Sequence, residues 1–402
     1  MVLRNPHKYG KGEGLEPVLP LDLGSVNSFE ELLSGMSQTA FGGRALGEAA
    51  DVLFKMIQDP ECFKVLTLSG AMTIAKMGLV VTEMIDRGWI NCVVSTGALM
   101  CHGFVETSGR LHFKHDPSMN DEKLFKLGYN RVFDTLELEE NLDEIELIIR
   151  KIMQSGYVEL FERGEVKSAC SHSFTRALGR WLKENTEPGA RAMLKSCYEK
   201  GVPVFIPAFT DSELALDFAI YGHLYKPVPF DPFHDLEYYT SLVRKSNRIG
   251  ILTIGGGVPR NWAQQVGPYL DILSKRLKNK AFQTKRFSYG IRICPEPEHW
   301  GGLSGCSYSE GVSWGKFIPP ADGGRFAEVH SDATIAWPIL VKAVMERTDR
   351  LTASGDSDGM TSVEESNVLC EADLSTCASE NGRPSLTKGD CSKAKIAAVK
   401  RK

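Results

Sequence analysis

The stretch "FKVLTLS" (63–69) is followed by "GAMTIAKMGLVVTEMIDRG" (70–88) and then by "INCVVST" (90–96). The outer pieces are short runs rich in β-branched and apolar residues, the pattern of strands buried on both faces. The middle piece is long and apolar enough for a buried helix. Two strands joined by a helix run parallel, and such a unit demands a sheet covered on both sides. The stretch therefore predicts an α/β fold whose strand ends face a ligand crevice.

The alternation continues outward. Leu138, Leu142, Ile145, Ile149 and Ile152 recur at steps of four and three, which predicts an amphipathic helix. Beyond residue 190 come a helix at "ARAMLKSCYEKG", a strand at "VPVFIPA" (202–208), and helices at "SELALDFAIYG" and "DLEYYTSLVRKS". Further strands are expected at "IGILTI", "RFSYGIRI" (286–293) and "FAEVHS" (326–331). A last helix is expected at "ATIAWPILVKAVMER", with Pro338 near its first turn, where proline is tolerated. No internal repeat is visible. The reading is an N-terminal arm (1–40), one doubly wound α/β domain (41–349) and a C-terminal tail (350–402). No aromatic residue follows Trp337, and residues 356–380 carry seven acidic and no basic side chains, a composition that favours disorder.

Composition narrows the function. The net charge of -4 leaves no basic footprint for nucleic acid. No apolar run reaches the roughly 20 residues of a membrane span. The N-terminus "MVLRNPHKYGKGEGLEP" has no apolar signal core, so a cytoplasmic protein is expected. The ten cysteines show neither a C-x-x-C pair nor zinc spacing with histidine and read as reduced, buried thiols.

Four segments carry chemistry. "TIGGGVPRN" sets three glycines between a strand and a helix, where a backbone can approach a phosphate; a tight turn alone would explain it equally well. "VVSTGALM" (93–100) ends a second strand on Thr96 and Gly97 and could form another wall of the same crevice. "PAFTDSELALD" (207–217) brings Asp211, Glu213 and Asp217, each of which has a structural alternative as a cap or a solvated acid. With Glu296, Glu298 and Glu310, these carboxylates would suit a polyamine. In "EGVSWGKF" (310–317), Lys316 stands between Trp314 and Phe317. A nucleophilic lysine must be neutral, and desolvation beside Trp314 would favour that form. Spacing alone favours the bland alternative, a snorkelling lysine.

With these residues assembled, the chain resembles the deoxyhypusine synthase family, which includes homospermidine synthases. "EGVSWGKF" is similar to that family's most specific motif, with Lys316 on its catalytic lysine. "PAFTD", "GGGV", "GGLSG" and "SDAT" follow in the family's order over roughly residues 40 to 348. The resemblance implies a Rossmann-like, mostly parallel sheet, a homotetramer with active sites between subunits, and NAD as cofactor. It implies that Thr96, Gly97, Ala98, Gly257, Asp332 and Ala333 line the NAD site with Asp211 beside it. Gly301, Gly302, Glu310, Trp314 and Lys316 would face spermidine, and Asp217 matches a polyamine-binding aspartate once a one-residue shift is allowed.

The chain also departs from the family. Asn261 and Trp262 stand where eukaryotic members carry a histidine pair, Trp300 and Leu303 replace two aspartates, and Cys101 and His102 replace two glutamates. The pattern is nearer the bacterial-type branch, and Trp262 and Trp300 could hold an ammonium through their ring faces. His102 or His299 could supply a lost proton-transfer group. The expected activity is aminobutyl transfer from spermidine to the lysine of the hypusine-containing translation factor. The second reading is transfer to putrescine, giving homospermidine. The third is a catalytically weak paralogue that activates a partner subunit, and a generic NAD dehydrogenase is the least favoured.

Overall fold

The computed structural model describes residues 14–278 and 282–354. The expected disordered tail falls mostly on 355–402, outside the described residues. At the centre are six strands: β1 (Cys62–Leu68), β2 (Cys92–Ser95), β3 (Val204–Phe205), β4 (Arg248–Ile254), β5 (Phe287–Ile293) and β6 (Arg325–Val329). All neighbours pair in parallel, in the order β6-β5-β4-β1-β2-β3. This is the doubly wound order, and it reverses between β1 and β4. Their carboxyl ends, Leu68 and Ile254, are register partners, so the switch point lies at the end of the most central pair.

Side-chain alternation sorts the strands onto two cores. Leu66, Leu68, Leu252 and Ile254 face the larger cluster, while Val65, Ile249 and Ile251 face a second one with Tyr239 and Phe287. Thr67 and Thr253 are register partners on the second face, and their buried hydroxyls satisfy each other at 3.0 Å. Helices Phe41–Gln58, Gly97–Thr107, Ser171–Asn185 and Ala333–Ser354 contribute to the larger core, and Pro232–Lys245 and Gly257–Gln264 to the other. No helix among the described residues is long and apolar enough to cross a membrane.

Three expectations need correction. Residues 70–88 are not one helix: only Gly78–Asp86 is helical, and the chain before it forms turns. Thr73 Oγ1 donates to Leu99 O at 2.7 Å, and Lys76 takes a left-handed φ of +64°, which a continuous helix cannot contain. The strand at 202–208 shrinks to Val204–Phe205 at the sheet edge, because Pro203 and Pro207 have no N–H for a ladder. Pro338 lies inside its helix, past the first turn, and so removes the bond its N–H would make to the Thr334 carbonyl.

Two small antiparallel sheets went unread in the sequence. One pairs His112–Lys114 and Tyr129–Val132 with Thr135–Leu138; the other pairs Phe161–Arg163 with Val166–Ser168. The alternation in "TLEL" was the available signal, but four residues are too few to weigh against a following helix that starts at Glu139. Six of the described cysteines are buried thiols and Cys306 is half-buried.

Trp337 is fully buried on the last helix, and its indole N–H has no hydrogen-bond partner among the described residues. Trp337→Ala should cost about 3–5 kcal/mol in urea unfolding. Trp337→Phe should cost less than half of that, since it also removes a buried unpaired donor.

Candidate active site

The glycine turn follows β4 directly. Ser69, one residue past β1, accepts from Gly256 N–H through its Oγ at 2.7 Å and so ties the two strand ends at the switch point. Gly255 has φ +78°, and a Cβ there would stand 2.3 Å from Ser69 Oγ, so only glycine fits. Helix Gly257–Gln264 starts from this turn and points its first N–H groups, which lack intrahelical partners, toward the crevice. At the next strand end, Thr96 caps helix Gly97–Thr107 and Ala98 is exposed. A Cβ on Gly97 would lie 2.2 Å from Ser212 Oγ, which brings the β3 loop carrying the exposed Asp211 against the β2 end. After β6, Asp332 Oδ1 accepts from Thr334 N–H at 2.7 Å and Ala333 begins the last helix. Thr96, Gly97, Ala98, Asp211, Gly257, Asp332 and Ala333 thus all follow strand carboxyl ends of one sheet. That edge, with a helix N-terminus over a bare glycine turn, fits a dinucleotide.

Lys316 is held from three sides. Helix Tyr308–Ser313 is capped by Ser307, whose Oγ accepts from Glu310 N–H at 3.1 Å. After Gly315 (φ +69°), Lys316 N–H donates to Gly311 O at 3.0 Å, and Lys316 O accepts from Phe287 N–H at 2.9 Å. Phe317 is fully buried against Phe287, Tyr308 and Phe326. Lys316 Nζ then donates to Asn261 Oδ1 at 3.0 Å. Asn261 lies four residues into the helix that starts at the glycine turn, about 6 Å along its axis.

The source of the desolvation differs from expectation. Trp314 is 66% exposed, so it does not enclose the lysine within one chain. Burial lowers the Lys316 ammonium, and the Arg260 guanidinium lowers it further, against an opposing pull from Cys306 and Glu310. Arg260 was not singled out in the sequence, although it lies in "GGGVPRN". It is buried and donates to the carbonyls of Leu303 (3.1 Å) and Cys306. Arg292 donates to Ser304 O at 2.6 Å and Cys306 O at 2.9 Å and pairs with Glu328. These two cations fix the loop that carries Gly301 and Gly302, where a Cβ on Gly302 would collide with Glu296 Oε1.

Of the substituted aromatics, Trp300 is 71% exposed, but Trp262 packs its ring against Tyr239 and Phe205 at 5.0 and 5.7 Å. Trp262 is half-buried, so the core takes up part of its ring and leaves less of it for an ammonium than Trp300 offers. His299 is exposed beside Trp300.

Asp217 lies elsewhere. It is buried on helix Glu213–Leu224, and no contact joins it to Lys316 among the described residues. Its Oδ2 has no hydrogen-bond partner among them either. Burial, then Glu213 and Glu146, push its carboxyl up to about 7. Behind it, Glu137 joins His102 Nδ1 at 2.7 Å and His112 Nε2 at 3.2 Å. Burial raises Glu137, but the two imidazoles outweigh it and bring the carboxyl down to about 2.

A family model described as deoxyhypusine synthase matches residues 31–344. A "probable deoxyhypusine synthase 2" of Methanosarcina acetivorans is 35% identical over 337 residues, 83% of this chain and 91% of its own. One of the same description from Archaeoglobus fulgidus is 32% identical, covering 77% and 96%. A "deoxyhypusine synthase-like protein" of Chlorobaculum parvum is 30% identical, covering 77% and 84%. Among solved structures, one assigned to a deoxyhypusine synthase of Entamoeba histolytica superposes with a TM-score of 0.51 at 12% identity, over 80% of this chain and 94% of that one. This last likeness bears on the fold alone.

Asp217 makes the stability depend on pH. With the folded carboxyl near 7 and an unfolded value near 3.8, the folded state holds the extra proton between them. Stability from this group is complete below about pH 4 and lost as pH rises through about 7, on the order of 4 kcal/mol. Asp217→Asn should therefore be more stable than wild type at pH 8, with the difference vanishing near pH 4 in urea titrations.

Proposed function

The chain belongs to the deoxyhypusine synthase family, and on that premise we propose that it is an NAD-dependent aminobutyltransferase. It would take the 4-aminobutyl group from spermidine and pass it, through an imine on Lys316, to the lysine of the hypusine-containing translation factor. The observation that carries this reading is Lys316 itself: half-buried, depressed by burial and a neighbouring guanidinium, and linked by Asn261 to the helix of the glycine turn.

Spermidine loses a hydride from the carbon beside its secondary amine, leaving an imine. Backbone N–H groups at Gly257 and the strand-end residues Thr96, Gly97, Ala98, Asp211, Asp332 and Ala333 would hold NAD, which would supply the hydride acceptor for this oxidation and the donor for the final reduction. Neutral Lys316 attacks the imine carbon, and 1,3-diaminopropane leaves as a new imine forms on Nζ. Arg260 disfavours the competing ammonium. The acceptor amine then attacks the same carbon, frees Lys316, and the resulting imine is reduced to a secondary amine. Gly301, Gly302, Glu310 and Trp314 shape the donor side.

Two features support a site completed by other subunits of a cytoplasmic homotetramer. Trp314 and Trp300 are exposed beside the lysine loop, and Leu216, Ile220 and Leu224 make an exposed stripe at i, i+4, i+8 on the helix of Asp217. A second reading, transfer to putrescine, draws on the same helix. The unpaired Asp217 oxygen beside Glu213 offers a counter-charge for the second ammonium of a free diamine.

Borohydride added with NAD and labelled spermidine should fix label on Lys316. Lys316→Ala and Lys316→Arg should carry none, the second because arginine stays protonated. In competition, the precursor protein should be modified in preference to putrescine, as read by mass spectrometry of both products. Homospermidine without protein modification would select the second reading, and absence of label would leave the regulatory paralogue.

A further inference from the structure

The sequence shows no zinc spacing, yet the fold assembles three metal-type ligands in one place. His112 and Glu137 are direct cross-strand partners in the small sheet of His112–Lys114 and Thr135–Leu138. His102 projects from helix Gly97–Thr107 onto the same pair. One ligand atom from each lies within 4.8 Å of the other two. The Glu137 and His112 side chains are 2% and 0% exposed, and His102 is 21% exposed, which leaves one open side.

The three side chains stand close enough to share one ion, although His112 Nε2 and Glu137 Oε1 also make a hydrogen bond at 3.2 Å. His102 Nδ1 is 2.7 Å from Glu137 Oε2, yet this buried atom makes no aligned hydrogen bond among the described residues. The two imidazoles meet edge to face, centroids 6.3 Å apart, as rings turned toward a shared point do. A tetrahedral ion with bonds of about 2.0–2.2 Å would require only a small opening of these contacts.

We propose that His102, His112 and Glu137 form a divalent-metal site of the zinc class, with a fourth position open to water. Two imidazoles and one carboxylate are borderline ligands that suit Zn2+ better than Mg2+ or Ca2+. The ion would join the small sheet to the helix that starts at the dinucleotide edge. It does not depend on the transfer reaction.

Lys76 sets the terms of binding. Its ammonium lies 2.8 Å from His112 Nδ1 and 3.1 Å from Glu106 Oε1. An ammonium only donates, so Nδ1 accepts and Nε2 carries the ring proton toward Glu137. On metal binding, Nε2 gives up that position, the proton moves to Nδ1, and Lys76 must withdraw. Glu106 is the acceptor left for the new N–H, the usual carboxylate behind a metal-bound histidine. Lys76 is therefore a competing cation, 45% exposed and able to swing away.

The chelator-treated full chain should bind one equivalent of Zn2+ in competition with a chromophoric chelator, and Co2+ should give the intense visible bands of a four-coordinate ion. His102→Gln, partly exposed and so mild for the fold, should weaken Zn2+ binding at least about tenfold and abolish the zinc-dependent rise in Tm. His112→Ala should do the same, whereas Lys76→Gln should bind more tightly than wild type. The proposal is overturned if no 1:1 binding occurs, or if His102→Gln binds Zn2+ as the wild type does.

Discussion

Two buried arginines hold the centre of this molecule. Arg260, on the helix of the glycine turn, and Arg292, on β5, send their guanidinium groups to the same short run of carbonyls between Leu303 and Cys306. Among the described residues Arg292 has a carboxylate partner, Glu328, and Arg260 has none. Loop carbonyls accept hydrogen bonds but supply no full countercharge, so the interior keeps a positive excess beside Lys316. The same contact shapes the loop of Gly301 and Gly302, fixes the helix that presents Asn261, and adds to burial in lowering the Lys316 ammonium. Shape and reactivity come from one arrangement.

The opposite side of the crevice has the reverse character. Around helix Gly97–Thr107 stand Asp217, Glu213 and Glu137, with burial raising the first two. On the proposed reading, a positive interior near Lys316 and an acidic one beyond the β2 end would orient a long polycation along the crevice. Within one chain the two groups make no contact among the described residues.

The sequence revealed the parts that depend on local pattern. The βαβ alternation, the glycine turn after β4 and the lysine motif were legible because strand periodicity and glycine placement are short-range. Helix length at 70–88 was not, because a tertiary bond from Thr73 to Leu99 and the left-handed Lys76 override propensity. The half-burial of Trp262 was not legible, because its packing on Phe205 of β3 and Tyr239 of helix Pro232–Lys245 is set by the tertiary fold. Arg260 and the His102–His112–Glu137 grouping were invisible for the same reason. Their chemistry depends on which residues the fold brings near, and spacing carries none of that information.

The chain closes on itself through its outermost helices. Helix Phe29–Ser37 packs on Ala333–Ser354, Arg350 pairs with Glu30, and Arg347 with Asp51. The central strand β1 finds one neighbour, β2, about 30 residues on, but its other neighbour, β4, only about 180 residues after β1 itself. During synthesis, at roughly 5–20 residues per second, the early helices and β1 wait for partners that have not yet been made. One edge of β1 stays uncovered until β4 is made, and part of the apolar face of Phe41–Gln58 until β6 and the last helix follow. Apolar surface left open in this interval is what would favour capture by chaperones, and it closes once helix Ala333–Ser354 docks.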